Sequence, residues 1–264
     1  PRIKKISFTG STRVGKILMK QASDTVKATS MELGGNAPFI VFDDADLEAA
    51  ANGLIASKFR NAGQTCVCTN RLYVHQSVKE RFLTKLLDKA ASLTVGNGLE
   101  ENTTLGPVIT MASKHRLEAV IDLAVQEGAT ILNQPQKRPG RFMEPVILGN
   151  VEQGMAIVQQ ELFGPVLPVI SFDDDEQVLS MANDTEYGLA CYFYTDSLKR
   201  IITFSEGLEY GIVGVNEGII STEVAPFGGI KESGIGREGA KQGMDEYQET
   251  CLLYTSPSPR DRYI

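Results

Sequence analysis

Short apolar runs alternate along the chain with longer stretches in which apolar residues recur at helical spacing. The short runs predict β-strands, and the amphipathic stretches predict helices. The predicted strands cover residues 3–9, 31–33, 38–42, 71–74, 130–132, 166–172, 190–194 and 212–215. The predicted helices cover residues 13–23, 46–62, 78–91, 112–127, 174–183 and 198–206. This alternation indicates an α/β protein with a mostly parallel sheet.

The two ends of the chain differ from the part between them. The first strand and helix meet at Gly10-Ser11-Thr12 and look like the tail of a parallel α/β unit whose earlier strands are not present. Near the other end, Ser256-Pro257-Ser258-Pro259 interrupts any helix or strand. Residues 252–264 resemble translated vector or sequencing-adapter sequence, so we expect a non-native tail there.

Composition disfavours several classes of function. Apolar residues make up 42% of the 264 residues, which predicts a packed core. A net charge of -7 and a pI near 5.1 disfavour nucleic acid as the main ligand. No apolar run approaches the roughly 20 residues that cross a bilayer, and no N-terminal signal is visible. We therefore expect a cytoplasmic protein without a membrane partner.

The cysteines and histidines predict neither a metal site nor a disulfide framework. The four cysteines lack the spacing of metal ligands, and the chain has only two histidines, His75 and His115. A reducing compartment is therefore the default, and a catalytic cysteine here must be activated without a histidine. Cys66 follows Gly63-Gln64-Thr65 in a predicted loop, where backbone amides could stabilise a thiolate and later an oxyanion. A buried structural cysteine is the alternative.

Two further segments are candidates for chemistry. Glu32 follows a predicted strand and precedes Leu33-Gly34-Gly35, where burial would raise its pKa and make it a usable base near neutral pH. An exposed loop carboxylate is the alternative for Glu32. The strand–helix turn at Gly10-Ser11-Thr12 would let a phosphate approach the backbone closely, although turns of this kind are common.

Taken together, these segments resemble the aldehyde dehydrogenase superfamily. Glu32 and Cys66 stand 34 positions apart, which is the family interval. Glu161-Leu162-Phe163-Gly164-Pro165 matches the Glu-x-Phe-Gly-Pro motif of the family, and residues 226–238 match its C-terminal glycine-rich signature. The resemblance covers about residues 3–250 and includes the early Gly-Ser-Thr turn. It implies an α/β fold in which a parallel-sheet catalytic domain follows the tail of a Rossmann-like cofactor domain.

The resemblance also implies a mechanism. Cys66 would attack the aldehyde to give a thiohemiacetal, hydride would pass to NAD or NADP, and Glu32 would activate the water that hydrolyses the thioester. Ser11 would contact the pyrophosphate, Glu161 the nicotinamide ribose, and Phe163 the nicotinamide ring. The full set of residues implied to bind the cofactor is Gly10, Ser11, Leu33, Gly34, Glu161 and Phe163. No metal is implied.

Three details resemble the succinate-semialdehyde branch of the family. Arg60, six residues before the nucleophile, would hold the distal carboxylate of the substrate, for which a guanidinium is well shaped. Ser221, in the stretch from Val215, would add a hydroxyl to that site. Cys68 corresponds to a cysteine that can form a redox-switch disulfide with the nucleophile in that branch. A surface ion pair for Arg60 and plain packing for Cys68 are the alternatives.

The resemblance divides the chain into parts and leaves some of the family outside it. Residues 1–32 would end the cofactor domain, residues 33–231 would form the catalytic domain, and residues 232–251 would return towards the first part. The N-terminal half of the family, with most cofactor-binding strands, is not represented. We therefore expect this polypeptide to be inactive by itself and the full-length form to be a homodimer or homotetramer.

Other functions remain open at this point. The aldehyde could be neutral or cationic rather than a semialdehyde. A CoA-acylating relative, in which a thiol replaces water, is a further alternative, although that branch often lacks a base equivalent to Glu32. A binding or structural protein could keep the fold without catalysis, although it would have no need of both Cys66 and Glu32.

Overall fold

The computed structural model of the protein describes residues 2–255. The α-helices are α1 (Thr12–Ser23), α2 (Leu47–Phe59), α3 (Lys79–Ala91), α4 (Met111–Gln126), α5 (Asp175–Asn183), α6 (Leu198–Gly207) and α7 (Ala240–Asp245). The strands are β1 (Lys5–Thr9), β2 (Ala28–Glu32), β3 (Ala37–Val41), β4 (Thr69–His75), β5 (Thr130–Ile131), β6 (Val146–Gly149), β7 (Val166–Phe172), β8 (Tyr187–Gly188), β9 (Ala190–Tyr194), β10 (Ile212–Val215), β11 (Ile230–Lys231) and β12 (Gly234–Ile235).

The largest sheet has seven strands in the order β10-β9-β3-β4-β7-β6-β5. Every neighbouring pair in it is parallel except β5 with β6. Its central strands are buried along their whole length, as the continuous apolar runs of parallel strands require. One apolar cluster packs this sheet against α4, α5 and α6, and a second packs it against α2 and α3. Helices on both faces of a mostly parallel sheet confirm the predicted α/β class.

A smaller sheet carries the beginning of the chain. Strands β1 and β2 pair in parallel through the crossover helix α1, and β12 adds to β2 in antiparallel orientation. The last part of the chain thus returns to the first part, where Gly234 pairs with Glu32. The end of β2 lies where the two sheets meet, because the chain runs from β2 directly into β3 of the large sheet.

Several elements differ from those predicted. Strand β2 begins at Ala28 and ends at Glu32, so Leu33 follows the strand. Helix α2 ends at Phe59, whereas the apolar pattern predicted a helix to residue 62. Strand β6, the short strands β8, β11 and β12, and helix α7 were not predicted. The short ones lie in or beside glycine-rich segments, where no apolar periodicity can develop.

A buried arginine joins strand β4 of the large sheet to helix α5 and to the segment before β3. Arg71, on β4, has no exposed surface, and among residues 2–255 it forms no ion pair. Its guanidinium donates instead to the carbonyls of Asn36, Met181 and Ala182 and to the hydroxyls of Tyr73 and Tyr210. A buried charge needs such complete hydrogen bonding.

Within the described residues, no helix is long and apolar enough to cross a membrane. The same part of the chain holds no group of three or more His, Cys, Asp or Glu side chains placed to bind a metal ion. Most of the tail predicted to be non-native, residues 256–264, lies outside the described residues. Residues 252–255 are exposed and form no helix or strand.

Candidate active site

The loop that carries Cys66 begins with a left-handed turn. After α2 ends at Phe59, the φ angles of Asn61, Ala62 and Gly63 are 50°, 56° and 73°. Residues other than glycine rarely adopt this conformation, so the turn is strained at Asn61 and Ala62. A Cβ on Gly63 would lie 2.2 Å from the carbonyl oxygen of Gly164, so only glycine fits there. The turn lifts the chain away from the helix axis before Cys66.

The side chain of Gln64 fixes the rest of the loop. Its Nε2 donates to the carbonyls of Asn61, at 3.0 Å, and Pro107, at 3.2 Å. Its Oε1 accepts from the backbone N–H of Ile109 at 2.8 Å. On the other side, a Cβ on Gly35 would lie 2.5 Å from the Cys66 carbonyl oxygen, so the two segments touch backbone to backbone. Cys66 is therefore held between two rigid neighbours.

Replacing Gly63 with alanine is expected to destabilise the protein and displace Cys66. The left-handed conformation alone costs an alanine roughly 1–2 kcal/mol, and the contact with Gly164 adds to this. Urea unfolding would measure the loss, and the rate of Cys66 alkylation by iodoacetamide would report the displacement. The matched control is Gly98→Ala, because a Cβ there meets nothing within 4 Å. Equal stability of the two variants would contradict this account.

Glu32 lies at the end of β2 and is 5% exposed. Its Oε2 is buried and has no hydrogen-bond partner among residues 2–255. Burial and the nearby carboxylate of Glu238 raise the pKa of Glu32 to about 8, against the opposing effect of Arg237. A Cβ on Gly228 would lie 2.9 Å from Oε1, so the glycine-rich segment packs directly on this carboxylate. The interpretation of Glu32 as an exposed loop carboxylate is therefore wrong.

Glu161 approaches the same place from the segment before β7. Its Oε1 accepts a hydrogen bond of 3.0 Å from the backbone N–H of Gly35, and a Cβ on Gly34 would lie 2.9 Å from Oε2. Burial raises the pKa of Glu161. Two residues on, Phe163 has a φ of 53° and is 38% exposed. An exposed aromatic ring on a strained backbone is a feature of functional sites.

A single cavity of about 330 Å³ brings these groups together. It is lined by every residue that the sequence assigns to catalysis or to the cofactor, and additionally by Thr9. Those residues are Gly10, Ser11, Glu32, Leu33, Gly34, Cys66, Glu161 and Phe163. They come from the small sheet, from the segment between β2 and β3, and from two loops that precede β4 and β7, so only the fold places them side by side.

Two of the lining residues lie at the start of α1. Ser11 is the N-cap of this helix, and its hydroxyl accepts no capping hydrogen bond. A Cβ on Gly10 would lie 2.5 Å from the ring of Phe8, so glycine at this position is already needed for packing within the chain. The Ser11 hydroxyl and the first backbone N–H groups of α1 can therefore donate hydrogen bonds to an anionic group in the cavity.

The Cys66 thiol is not activated by its loop alone. Burial raises its pKa to about 11, and the carboxylates of Glu161 and Glu32 act in the same direction. A backbone hydrogen bond at Cys66 lowers the pKa, but it is outweighed. The net direction is opposite to the one expected from loop amides, because the sequence does not reveal the two carboxylates facing the thiol.

Arg60 and Ser221 meet in a second, smaller cleft. Both line it, together with Thr65 and Val67 on either side of Cys66. The cleft has a volume of about 10 Å³, which is room for about one water molecule. A Cβ on Gly218 would lie 2.2 Å from the carbonyl oxygen of Gly53, so the start of this loop packs tightly on α2.

Cys68 is buried and its thiol is free, like that of Cys66. Its Sγ lies 2.8 Å from the hydroxyl of Thr65 and 3.6 Å from the carbonyl oxygen of Arg60. These contacts direct the Cys68 thiol towards the α2 end of the loop. A redox pairing between Cys66 and Cys68 stays a prediction.

Comparison with known families decides the identity of the fold. The aldehyde dehydrogenase family matches residues 1–252. The chain belongs to this family. It is 51% identical over 251 residues to "Succinate-semialdehyde dehydrogenase [NADP(+)] GabD" of Escherichia coli. That match covers 94% of this chain and 52% of the relative. It is also 51% identical over 254 residues to a glutarate-semialdehyde dehydrogenase of Pseudomonas putida, covering 96% and 53%.

The structural comparison agrees. The fold matches the crystal structure of an aldehyde dehydrogenase from Brucella melitensis biovar abortus 2308 with a TM-score of 0.92 and 53% identity. The match covers 93% of this chain and 51% of that one. The chain thus spans about half the length of the relatives it matches.

One residue that holds the backbone of this candidate site was not predicted from the sequence. Ser233 has no exposed surface, and its hydroxyl donates to the Gly34 carbonyl at 2.6 Å and accepts from the Gly188 N–H at 2.9 Å. Its own carbonyl accepts from the N–H of Leu33. Ser233 therefore fixes the backbone between Glu32 and Gly35. A hydroxyl within the glycine-rich segment was the available signal.

Proposed function

We propose that this chain is the catalytic half of an NAD(P)-dependent aldehyde dehydrogenase that oxidises succinic semialdehyde to succinate. One observation carries the proposal, namely that the Cys66 thiol and the buried Glu32 carboxylate line the same cavity. A nucleophile and a base that face one space can form a thioester and then hydrolyse it. The Escherichia coli relative is a succinate-semialdehyde dehydrogenase named for NADP⁺, which supports both the substrate and the cofactor.

The cavity lining fits a nicotinamide dinucleotide. The Ser11 hydroxyl, which makes no capping hydrogen bond at the start of α1, can donate to a pyrophosphate. The Glu161 carboxylate can accept hydrogen bonds from ribose hydroxyls. Gly34 and Phe163 line the same cavity, and Phe163 offers an apolar face to a ring. When bound, the cofactor supplies the hydride acceptor.

The residues of the chain account for the remaining steps. The sulfur of Cys66 bonds to the aldehyde carbon, and a proton goes to the oxygen of the thiohemiacetal. Departure of the aldehyde hydrogen as hydride, together with loss of the hydroxyl proton to water, leaves a thioester on Cys66. Glu32, as carboxylate, takes a proton from water while the water oxygen attacks the thioester carbon. The carbon–sulfur bond then breaks, and the acid leaves with the thiol restored.

The substrate class is proposed from the second cleft. Arg60 is the cationic group of that cleft, and Ser221 adds a hydroxyl. A guanidinium and a hydroxyl together suit a carboxylate at the far end of the aldehyde. Glutaric semialdehyde, longer by one methylene, is the second candidate, because the Pseudomonas putida relative is named for it.

The assays proposed below use the full-length protein. Strand β1 is an edge of the small sheet, and the cavity residues beside it are partly exposed in this chain. We infer that the 264-residue chain does not turn over by itself, since its described residues leave the cavity open beside β1. A homodimer or homotetramer is part of the same proposal.

Replacing Arg60 with alanine tests the substrate assignment. We expect kcat/KM for succinic semialdehyde to fall roughly 10- to 100-fold, as the loss of a charged hydrogen bond predicts. A neutral aldehyde of similar length should be affected less than about twofold, because it does not use the guanidinium. Absorbance at 340 nm, where reduced nicotinamide absorbs, measures the rate of both reactions.

Two comparisons sharpen this experiment. Arg81→Ala removes an exposed arginine of α3 and should leave both substrates unaffected. Measuring glutaric semialdehyde beside succinic semialdehyde separates the two candidate substrates. If the wild type turns over a neutral aldehyde with the same kcat/KM as either semialdehyde, the substrate assignment is removed. That result would leave the thioester mechanism in place.

A further inference from the structure

The side-chain amide of Asn70 joins separate segments of the cavity wall. Asn70 is on β4, shortly after Cys66, and is 4% exposed. Its Nδ2 donates to the carbonyl of Gln160 at 2.8 Å and to Oδ1 of Asn36 at 2.6 Å. Its Oδ1 accepts from the N–H of Leu162 at 3.0 Å. Both amide hydrogens and the oxygen of this side chain are therefore used.

These hydrogen bonds surround Glu161. Gln160 and Leu162 are its chain neighbours, so Asn70 holds the backbone on both sides of it. Gly35, the chain neighbour of Asn36, donates to Oε1 of Glu161. The contacts thus form a closed ring from Asn70 through Asn36 and Gly35 to Glu161. Opening the ring at Asn70 frees the Glu161 backbone and leaves buried polar groups unpaired.

We propose that Asn70 is a positioning residue that fixes the Glu161 carboxylate against Gly35 and so sets the affinity of the cavity for the nicotinamide half of the cofactor. The inference rests on the proposed function, because it takes this cavity to be the nicotinamide site. Asn70 lines neither the cavity nor the cleft, so it acts through Glu161.

The chain offers a matched control for a purely structural effect. Asn133 donates to the carbonyl of Pro145 at 2.7 Å and accepts from the N–H of Ile147 at 3.0 Å. It therefore bridges two alternate backbone groups, as Asn70 does with Gln160 and Leu162. Asn133 lies beside β5 and β6, at the edge of the large sheet away from β2. Its loss should cost stability without reaching Glu161.

The test compares Asn70→Ala with Asn133→Ala in the full-length protein. Calorimetric titration would give the Kd for NAD⁺, for NADP⁺ and for ADP, which lacks the nicotinamide ribose. We expect Asn70→Ala to weaken the preferred dinucleotide roughly tenfold and to leave ADP within about twofold of the wild type. A crystal structure of the variant should show that Glu161 has lost its hydrogen bond to Gly35. Asn133→Ala should leave the Kd of each of these ligands unchanged.

Other outcomes would overturn the inference. Equal weakening of ADP and dinucleotide by Asn70→Ala, or an unmoved Glu161, would mean that Asn70 only stabilises the fold. If Asn70→Ala does not fold, Asn70→Ser keeps one hydroxyl for Gln160 or Leu162, and about threefold weaker dinucleotide binding is expected. A wild-type protein that binds ADP but neither dinucleotide would instead remove the proposed function, and the inference with it.

Discussion

Glu32→Gln is expected to allow one turnover and to stop the next. Glutamine has nearly the same shape, but it cannot take a proton from water, so the thioester on Cys66 should accumulate. Steady-state turnover should fall roughly 10²- to 10⁴-fold, the usual contribution of a general base. Rapid mixing should show a burst of nicotinamide reduction near one equivalent per site, and mass spectrometry should find the acyl group on Cys66.

The pH dependence of the wild type provides a second reading of the same group. Burial raises the pKa of Glu32 to about 8, so the reactive carboxylate becomes populated as pH rises through that value. Thioester hydrolysis should therefore increase from neutral pH and level off above about 9. Glu238→Gln removes a carboxylate that raises this pKa, so it should shift the rise to lower pH. Steady-state turnover of Glu32→Gln within a few fold of the wild type would falsify the role of Glu32.

Cys66→Ala should abolish turnover, with a loss of at least roughly 10⁴-fold, because no covalent intermediate can form. Cys68→Ser is the matched control, since Cys68 lies in the same loop but its Sγ contacts Thr65 and the Arg60 carbonyl. We expect the control to keep activity within a few fold. Activity surviving in Cys66→Ala would move the nucleophile elsewhere.

Alkylation of Cys66 distinguishes an enzyme from a binding or structural protein that keeps the fold without catalysis. The pKa of the Cys66 thiol, raised to about 11, leaves little thiolate at neutral pH in the cofactor-free chain. Labelling of Cys66 by iodoacetamide should therefore be slow at pH 7 and accelerate about tenfold per pH unit. Above about pH 8, where Glu32 is ionised, replacing it by glutamine removes one of the carboxylates that raise this pKa, so labelling of that variant should be faster there. Complete failure of Cys66 to react would favour the non-enzymatic alternative.

Most of the sheet could be predicted because its strands carry their own signal. The apolar runs of β3, β7, β9 and β10 are long enough to be recognised from the sequence, and the motifs around Glu32, Cys66 and Glu161 identified the residues that line the cavity. The end of α2 could not be predicted, because Asn61 and Ala62 adopt left-handed conformations, which asparagine accepts more readily than alanine but neither residue type requires. At that turn Gly63 packs against the backbone of Gly164, which is about 100 positions away in the sequence.

What escaped prediction depends on distant partners. The hydrogen bonds of Asn70 and Ser233 reach residues about 90 and 200 positions away, and no local pattern records them. The pKa of the Cys66 thiol was expected in the wrong direction for the same reason, since the carboxylates that face it come from other segments. Short strands such as β12 have no periodicity of their own and form only because β2 offers an edge.

The carbonyl-bound guanidinium of Arg71 has a consequence for acid and alkaline conditions. A guanidinium is not deprotonated in proteins and carbonyl oxygens do not titrate, while burial raises the pKa of both Tyr73 and Tyr210. The junction that holds Asn36 in place therefore has the same charge in weak acid as in weak base. Glu32, a few residues earlier, changes its charge over the same range. The carboxylate proposed as the base can thus change its charge with pH while the charge of the junction behind it stays constant.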